Sequence, residues 1–235
     1  MDPPIGFAHR GGSGAARENT IAAFSRALTL GATGLESDAW LTSDGVVVLD
    51  HDGLAGPLWR RRPFSGMPAS AVPSHVPALA ELYRSCGHGF ELSLDVKDPA
   101  AFDAILAVAR SAGAEERLWL CDGDLARLEQ WRGRAGAAKL VHSTDARSLP
   151  DGPGVHARAL AAAGVDALNL RERQWDADRV RQVGTTGVRA FAWGVNTTAR
   201  IEALVRTGVD GIYSDDVEAM MRAIASRRPG APHPG

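Results

Sequence analysis

Four short polar runs hold side chains that could together cleave a phosphodiester. They are His9-Arg10-Gly11, Glu36-Ser37-Asp38, His51-Asp52 and Asp95-Val96-Lys97. Histidines can exchange protons near neutral pH, because the unperturbed imidazole pKa lies there. Carboxylates are the hard ligands that Mg²⁺ and Ca²⁺ prefer, and arginine and lysine suit a phosphate anion. The combination predicts metal-assisted cleavage of a phosphodiester.

The chemistry of each side chain suggests its role at such a site. His9 and His51 are the candidate acid and base, since either can give or take a proton within one turnover. Arg10 and Lys97 are the candidate phosphate ligands, and the chain has only two lysines. A structural ion pair between Lys97 and Asp95 is the alternative. The candidate metal ligands are three carboxylates: Glu36, Asp38 and Asp95.

Periodicity predicts how these side chains meet. Glu36 and Asp38 are two residues apart, so on a strand they face the same side. In residues 91–97 the polar side chains alternate with leucines and a valine in the same way. Short apolar runs alternate with amphipathic segments along the chain, which is typical of repeated β/α units. We expect an α/β protein, a (β/α)8 TIM barrel with its polar residues at the carboxyl ends of the strands.

Eight strands are predicted, at residues 5–8, 34–41, 90–96, 118–121, 139–142, 167–170, 188–193 and 211–213. A short hairpin through residues 46–49 and a Pro/Gly-rich loop excursion over 53–77 follow the second strand. Helices are predicted at 20–30, capped by Asn19 or Thr20, and near 79–85. An open dinucleotide-binding sheet is rejected, because Gly11-Gly12-Ser13-Gly14 lacks the G-x-G-x-x-G spacing.

Composition predicts one catalytic domain over residues 1–225 and a disordered tail over 226–235. The formal charge of -2 gives no field that would attract nucleic acid. No apolar run approaches the ~18 residues of a membrane span, so stable membrane insertion is not expected. Nothing at the N-terminus resembles a signal peptide, and a cytoplasmic location is expected. Cys86 and Cys121 are too few for a disulfide framework.

Four further residues are candidates for the substrate wall or for support of the site: Glu18, Asp52, Trp193 and Asn196. Each has a plain structural alternative. Asp52 could orient His51 or cap a turn. Trp193 and Asn196 could contact substrate or fill the barrel. For Asn19 an ordinary helix start is favoured.

At these residues the chain resembles the glycerophosphodiester phosphodiesterase family, within the phospholipase C-like phosphodiesterase barrels. The shared segments, in chain order, are His9-Arg10-Gly11, Glu18-Asn19-Thr20, Glu36-Ser37-Asp38, Thr42-Ser43-Asp44-Gly45, His51-Asp52, Asp95-Val96-Lys97, Trp193-Gly194-Val195-Asn196 and Gly208-Val209-Asp210-Gly211-Ile212. The resemblance implies a barrel enzyme of lipid and glycerol metabolism. It would use one divalent cation, Mg²⁺ or Ca²⁺, to hydrolyse small glycerophosphodiesters to glycerol 3-phosphate and an alcohol, and the glycerol 2-hydroxyl would attack first to give a cyclic phosphate.

Three departures from the family pattern leave alternatives open. Arg17 replaces a proline, Asp95 replaces a longer glutamate, and residues 53–76 lack the family's R-T-T-x-G insertion. With an aspartate at position 95, the chain also resembles the sphingomyelinase D-type phospholipases. Those enzymes act on lysophospholipids by internal transfer, but they are larger and contain disulfides. A catalytically silent barrel that binds phosphodiesters is a further alternative. The sequence does not predict the headgroup, the choice between Mg²⁺ and Ca²⁺, the use of a cyclic phosphate, the oligomeric state, or whether residues 53–76 cover the active site.

Overall fold

The fold is known from a computed structural model, which describes residues 3–12 and 16–226. Its strands are β1 (Ile5–Ala8), β2 (Gly34–Leu41), β3 (Val47–Leu49), β4 (Leu54–Ala55), β5 (Arg62–Pro63), β6 (Glu91–Val96), β7 (Leu118–Asp122), β8 (Lys139–Ser143), β9 (Ala167–Arg171), β10 (Arg189–Trp193) and β11 (Gly211–Ser214). Strands β1, β2 and β6 to β11 are parallel, and β1 pairs with both β2 and β11, so the sheet closes into a barrel. The predicted (β/α)8 barrel is confirmed.

Helices separate the barrel strands and cover the outside of the sheet. They are α1 (Ile21–Thr29), α2 (Leu79–Cys86), α3 (Phe102–Ser111), α4 (Leu125–Arg132), α5 (Gly152–Ala162), α6 (Ala177–Gly184), α7 (Thr198–Thr207) and α8 (Val217–Ser226). Among the described residues, no helix is both long and apolar enough to cross a lipid bilayer. Most predicted bounds are correct to within one residue. The predicted tail, apart from Ser226 at the end of α8, lies outside the described residues.

Strand β6 shows how alternation divides the core. Leu92 and Leu94 point outward into the apolar layer under the helices, whereas Ser93 points into the barrel and contacts the Tyr213 hydroxyl at 2.9 Å. Glu91, on the same inner face, lies at the amino end of the strand, where it accepts a hydrogen bond of 2.6 Å from Trp119. Packed side chains therefore separate Glu91, at the amino end of β6, from Asp95. Of these two acids, only Asp95 lies at the carboxyl end of the barrel.

An aromatic layer fills the middle of the barrel. Phe7 stacks on Tyr213 with ring centroids 4.6 Å apart, and Phe191 meets Trp119 edge-on at 4.9 Å. All four side chains are nearly or completely buried. This layer forms a floor under the polar residues, because the four rings pack together across the middle of the barrel.

The loop excursion after β3 has a small apolar core of its own. Phe64, Met67 and Val76 pack on Val48 of β3, and β4 and β5 form a two-stranded hairpin. The hairpin β2–β3 that precedes it is antiparallel, as predicted. The excursion thus packs against the β2–β3 hairpin.

Truncation of Phe191 tests the aromatic floor. We expect Phe191→Ala to lower the free energy of unfolding by about 3–5 kcal/mol, because a large buried ring is lost from three aromatic contacts. Val155→Ala, at a side chain that is 44% exposed on α5, is the matched control and should cost under ~0.5 kcal/mol. Urea titration measures both values, and equal losses would contradict the packing described.

Candidate active site

The carboxyl ends of the barrel strands surround a cavity of about 230 Å³. Its lining residues are His9, Arg10, Glu36, Asp38, His51, Asp95, Lys97, Ser143, Asn169, Trp193 and Tyr213. All seven residues predicted to act as acid, base, metal ligand or phosphate ligand are in this set. Ser143, Asn169 and Tyr213 are additional, and none of the described lining side chains comes from the excursion over 53–76.

The turn after β1 places Arg10 against the acids. Arg10 has a left-handed backbone, with φ of 51°, and its amide donates a hydrogen bond of 2.9 Å to Glu36 Oε2. Gly11 follows with φ of 86°, and a Cβ there would lie 2.7 Å from that of Ala23 in α1. Glycine is therefore required at this position, since only glycine accepts both the conformation and the close helix. The turn fixes the distance between β1 and β2 residues at the rim.

Three buried or half-buried carboxylates meet at one point of the cavity. Glu36 and Asp38 lie on the inner face of β2, and Asp95 is the register partner of Asp38 on β6. One oxygen of each lies within 4.8 Å of the other two. Burial raises the pKa of Glu36 to about 8; the neighbouring charge of His9 opposes this, and Asp38 and Asp95 add to it. Burial also raises the pKa of Asp38.

This cluster fits a divalent cation. Oxygen ligands lie about 2.0–2.6 Å from Mg²⁺ or Ca²⁺, so oxygens within 4.8 Å of one another can share one ion. Asp38 Oδ2 is buried and has no hydrogen-bond partner, which leaves an acceptor for an ion. Asp95, although shorter than glutamate by one methylene, still reaches the group. A cation would also offset the burial of negative charge.

Lys97 and Arg10 hold positive charge beside the acids. Lys97 Nζ lies 3.1 Å from Asp38 Oδ1 and 3.0 Å from Asp95 Oδ2. Burial alone would lower the pKa of Lys97, but the two carboxylates outweigh it and raise the pKa, so the ammonium stays charged. The Nε of Arg10 is buried without a hydrogen-bond partner, 3.8 Å from Asp38 Oδ2. Lys97 is thus paired with acids and also faces the cavity.

His9 is oriented by a carboxylate that the sequence did not single out. Its Nδ1 donates a hydrogen bond of 2.7 Å to Asp215 Oδ1, and Asn196 Nδ2 donates to the other Asp215 oxygen at 2.6 Å. Burial lowers the pKa of His9, but the hydrogen bond to Asp215 and the charge of that carboxylate contribute to a net rise above 6.5. Asn196, a candidate for wall or support, therefore supports Asp215 and does not line the cavity.

His51 has a similar partner next to it in the chain. Its Nδ1 donates a hydrogen bond of 2.9 Å to Asp52, and Arg61 contacts the other oxygen of Asp52 at 3.3 Å. Asp52 thus orients His51, one of its two predicted alternatives. Its pKa is lowered, mainly by the hydrogen bond from His51. Each histidine therefore presents Nε2 to the cavity while a carboxylate holds Nδ1.

The other candidates have mixed outcomes. Glu18 is exposed and lies 3.4 Å from Arg10 Nη1, so it contacts the site from outside. Trp193 is 36% exposed and lines the cavity. This position favours contact with substrate over a role in filling the barrel interior. The predicted role of Asn19 as the helix start is wrong, because the side chain of Thr20 caps α1. Asn19 is instead buried against β2, where its Oδ1 accepts a hydrogen bond of 2.7 Å from Ser37.

Comparison with known proteins gives one consistent result. The sequence matches the Glycerophosphoryl diester phosphodiesterase family over residues 9–72 and 88–219. It is 26% identical over 241 residues to a glycerophosphodiester phosphodiesterase of Caldanaerobacter subterraneus subsp. tengcongensis, an alignment that covers 93% of this chain and 96% of that protein.

Solved structures show the same fold. A putative glycerophosphoryl diester phosphodiesterase from Silicibacter pomeroyi is 23% identical with a TM-score of 0.84, over 96% of this chain and 95% of that one. An Oleispira antarctica phosphodiesterase, solved in complex with the product sn-glycerol-3-phosphate, is 20% identical with a TM-score of 0.82, over 95% and 97% of the two chains. At these identities the likeness shows the shared barrel alone.

Cation binding should release a proton. Because the pKa of Glu36 is raised to about 8, this carboxyl holds its proton at pH 7 and must lose it when an ion binds. We expect about one proton per ion at pH 7, and weaker binding as the pH falls from 8 to 6. Calorimetry in two buffers of different ionisation enthalpy measures the number. No proton release at pH 7 would contradict the raised pKa.

Asp215→Asn should lower the pKa of His9. The variant removes a negative charge that opposes the effect of burial, so the imidazolium becomes less favourable. NMR titration of the metal-free protein measures this, with the resonance identified by its loss in His9→Asn. Asp178→Asn, an exposed acid on α6, should leave the His9 pKa unchanged. A His9 pKa that is the same in Asp215→Asn and wild-type protein would show that Asp215 does not stabilise the protonated form of His9.

Proposed function

The chain belongs to the glycerophosphoryl diester phosphodiesterase family, and we propose that it hydrolyses glycerophosphodiesters to glycerol 3-phosphate and an alcohol. The observation that carries the proposal is the meeting of two carboxylate-oriented histidines, His9 and His51, with three carboxylates and two cations in one cavity. The glycerophosphodiester phosphodiesterase of Caldanaerobacter and the product held by the Oleispira enzyme support the same substrate class.

The phosphodiester anion binds on the β1–β2–β6 side of the cavity. Arg10 offers a fork of donors whose Nε is still without a partner, and Lys97 offers an ammonium that stays charged. Both side chains are already held by carboxylates, so little conformational entropy is lost when phosphate arrives. They offset the charge of the phosphoryl oxygens in the transition state.

Glu36, Asp38 and Asp95 would hold one divalent cation, Mg²⁺ or Ca²⁺, because their cluster offers hard carboxylate oxygens. When bound, this ion supplies a positive centre for a non-bridging phosphate oxygen. It also permits all three carboxylates to be ionised together. Chelation should consequently abolish turnover.

His9 and His51 move the protons. One imidazole Nε2 takes the proton of the attacking hydroxyl, and the other gives a proton to the oxygen of the departing alcohol. The attacking group is the glycerol 2-hydroxyl, which gives a cyclic phosphate, and water then opens the ring as the two histidines exchange roles. Asp215 and Asp52 fix Nδ1–H on each ring and stabilise the imidazolium that forms.

A single catalytic domain carries this activity, and its partner is a small glycerophosphodiester. Every lining residue of the cavity lies between His9 and Tyr213, within one closed barrel. The cytoplasmic location, and the absence of a nucleic-acid partner and of stable membrane insertion, stay predictions from composition.

A coupled assay for glycerol 3-phosphate tests the activity. Purified protein with Mg²⁺ or Ca²⁺ should release glycerol 3-phosphate from at least one member of a headgroup panel, and EDTA should stop the release until the ion is restored. No release over the full matrix of headgroups and metals would overturn the proposal. A cyclic phosphate as the end product would favour the internal-transfer alternative, and substrate binding without turnover would favour a silent barrel.

His9→Ala and His51→Ala should each lower kcat by about two to four orders of magnitude, the usual contribution of a general acid or base. Cation affinity should change less in His51→Ala than in His9→Ala, because only His9 lies near Glu36, at 3.8 Å. His88→Ala, at an exposed histidine after α2, is the control and should retain wild-type kcat. Near-normal turnover in either active-site variant would remove that histidine from the mechanism.

A further inference from the structure

An arginine without a counter-charge stands at the rim of the cavity, on the side away from the phosphate ligands. Arg171 ends β9 on the same inner face as Asn169, which lines the cavity. It is the register partner of Trp193 on β10, and its guanidinium carbon lies 5.1 Å from the centre of the Trp193 ring. Since Trp193 also lines the cavity, the guanidinium is held at the cavity edge.

No acid in the described part of the chain neutralises this arginine. Among residues 3–12 and 16–226, the Arg171 side chain forms no hydrogen bond or ion pair, and its Nε is buried without a partner. Glu172, its chain neighbour, is bound by Arg200 at 2.8 Å. Asp145, in the loop after β8, is bound by Arg147 at 2.8 Å. Both of these carboxylates are therefore held by other arginines.

The remaining wall on this side is neutral. It consists of Ser143, Asn169 and Trp193, whose side chains carry no formal charge. By contrast, Arg10 and Lys97 each lie within 4.0 Å of a carboxylate. A buried, unpaired donor costs free energy unless a ligand satisfies it. The vacant Nε and the neutral wall point to an anionic ligand group.

We propose that Arg171, stacked on Trp193, binds a carboxylate or phosphate on the alcohol substituent of the phosphodiester, and so selects substrates with anionic headgroups over choline. The inference rests on the proposed function and assigns the substrate class within it. A quaternary ammonium ordinarily binds on an open aromatic face. Here a cation already covers Trp193, so choline would meet charge repulsion at this wall.

Glycerophosphoserine and glycerophosphoethanolamine form the matched substrate pair, because they differ only by one carboxylate. Wild-type protein should show a kcat/KM about tenfold or more higher for the serine compound, with glycerophosphocholine lowest. Arg171→Gln should lower kcat/KM for the serine compound by about tenfold or more and leave the ethanolamine compound within about twofold. Arg171→Lys should recover part of the lost kcat/KM, since lysine keeps the positive charge but lacks the planar set of guanidinium donors.

Arg173→Gln is the control, at an exposed arginine two residues further on, and should change neither substrate. Equal losses for both substrates in Arg171→Gln, or no preference for serine in wild-type protein, would overturn the inference. Thermal unfolding of Arg171→Gln and Arg171→Lys shows whether a lower kcat/KM results from a destabilised fold.

Binding separates this inference from the proposed function. If wild-type protein cleaved no headgroup, the proposed function would fail, and calorimetry with the same two compounds and Ca²⁺ would still test Arg171. We expect the serine compound to bind about tenfold more tightly than the ethanolamine compound in wild-type protein, and equally in Arg171→Gln. Equal binding of both compounds to wild-type protein would contradict an anion site at Arg171.

Discussion

The meeting of three carboxylates at one point, two of them buried, is the constraint on which the rest of the site depends. Glu36, Asp38 and Asp95 share a cavity floored by packed aromatic rings, and the burial of Glu36 and Asp38 weakens the screening of their charges by water. The raised pKa values of Glu36 and Asp38 show the cost of this arrangement. Neighbouring positive groups offset part of that cost, and a divalent cation bound between the three carboxylates would offset more of it.

The barrel meets this constraint through alternation and closure. Alternation sends every second side chain of β2 and β6 inward, so Asp38 and Asp95 become register partners at the rim. Closure brings β11 beside β1, which is why Asp215 can hold His9 although 206 positions separate them. The site is thus assembled from both ends of the chain, and its geometry depends on the whole sheet.

Sequence patterns predicted the features that local rules determine and missed those that depend on contacts between distant parts of the chain. Alternation in residues 34–41 and 91–96 was enough to put the acids on one face. Asp215 carries no local signal beyond its place after a predicted strand. The role of Asn19 was predicted wrongly because capping statistics cannot reveal its hydrogen bond with Ser37, which is 18 positions away in the chain. Arg171 becomes notable only through its neighbour on β10.

Ion binding to a variant of the buried cluster tests the central claim most directly. Asp38→Asn keeps the shape of the side chain and removes one charge from the position whose Oδ2 has no partner. With Mn²⁺ as a spectroscopic probe, wild-type protein should bind about one ion per chain, and Asp38→Asn should bind it about a hundredfold more weakly or not at all. Equal affinity in the two proteins would contradict an ion held by these three carboxylates.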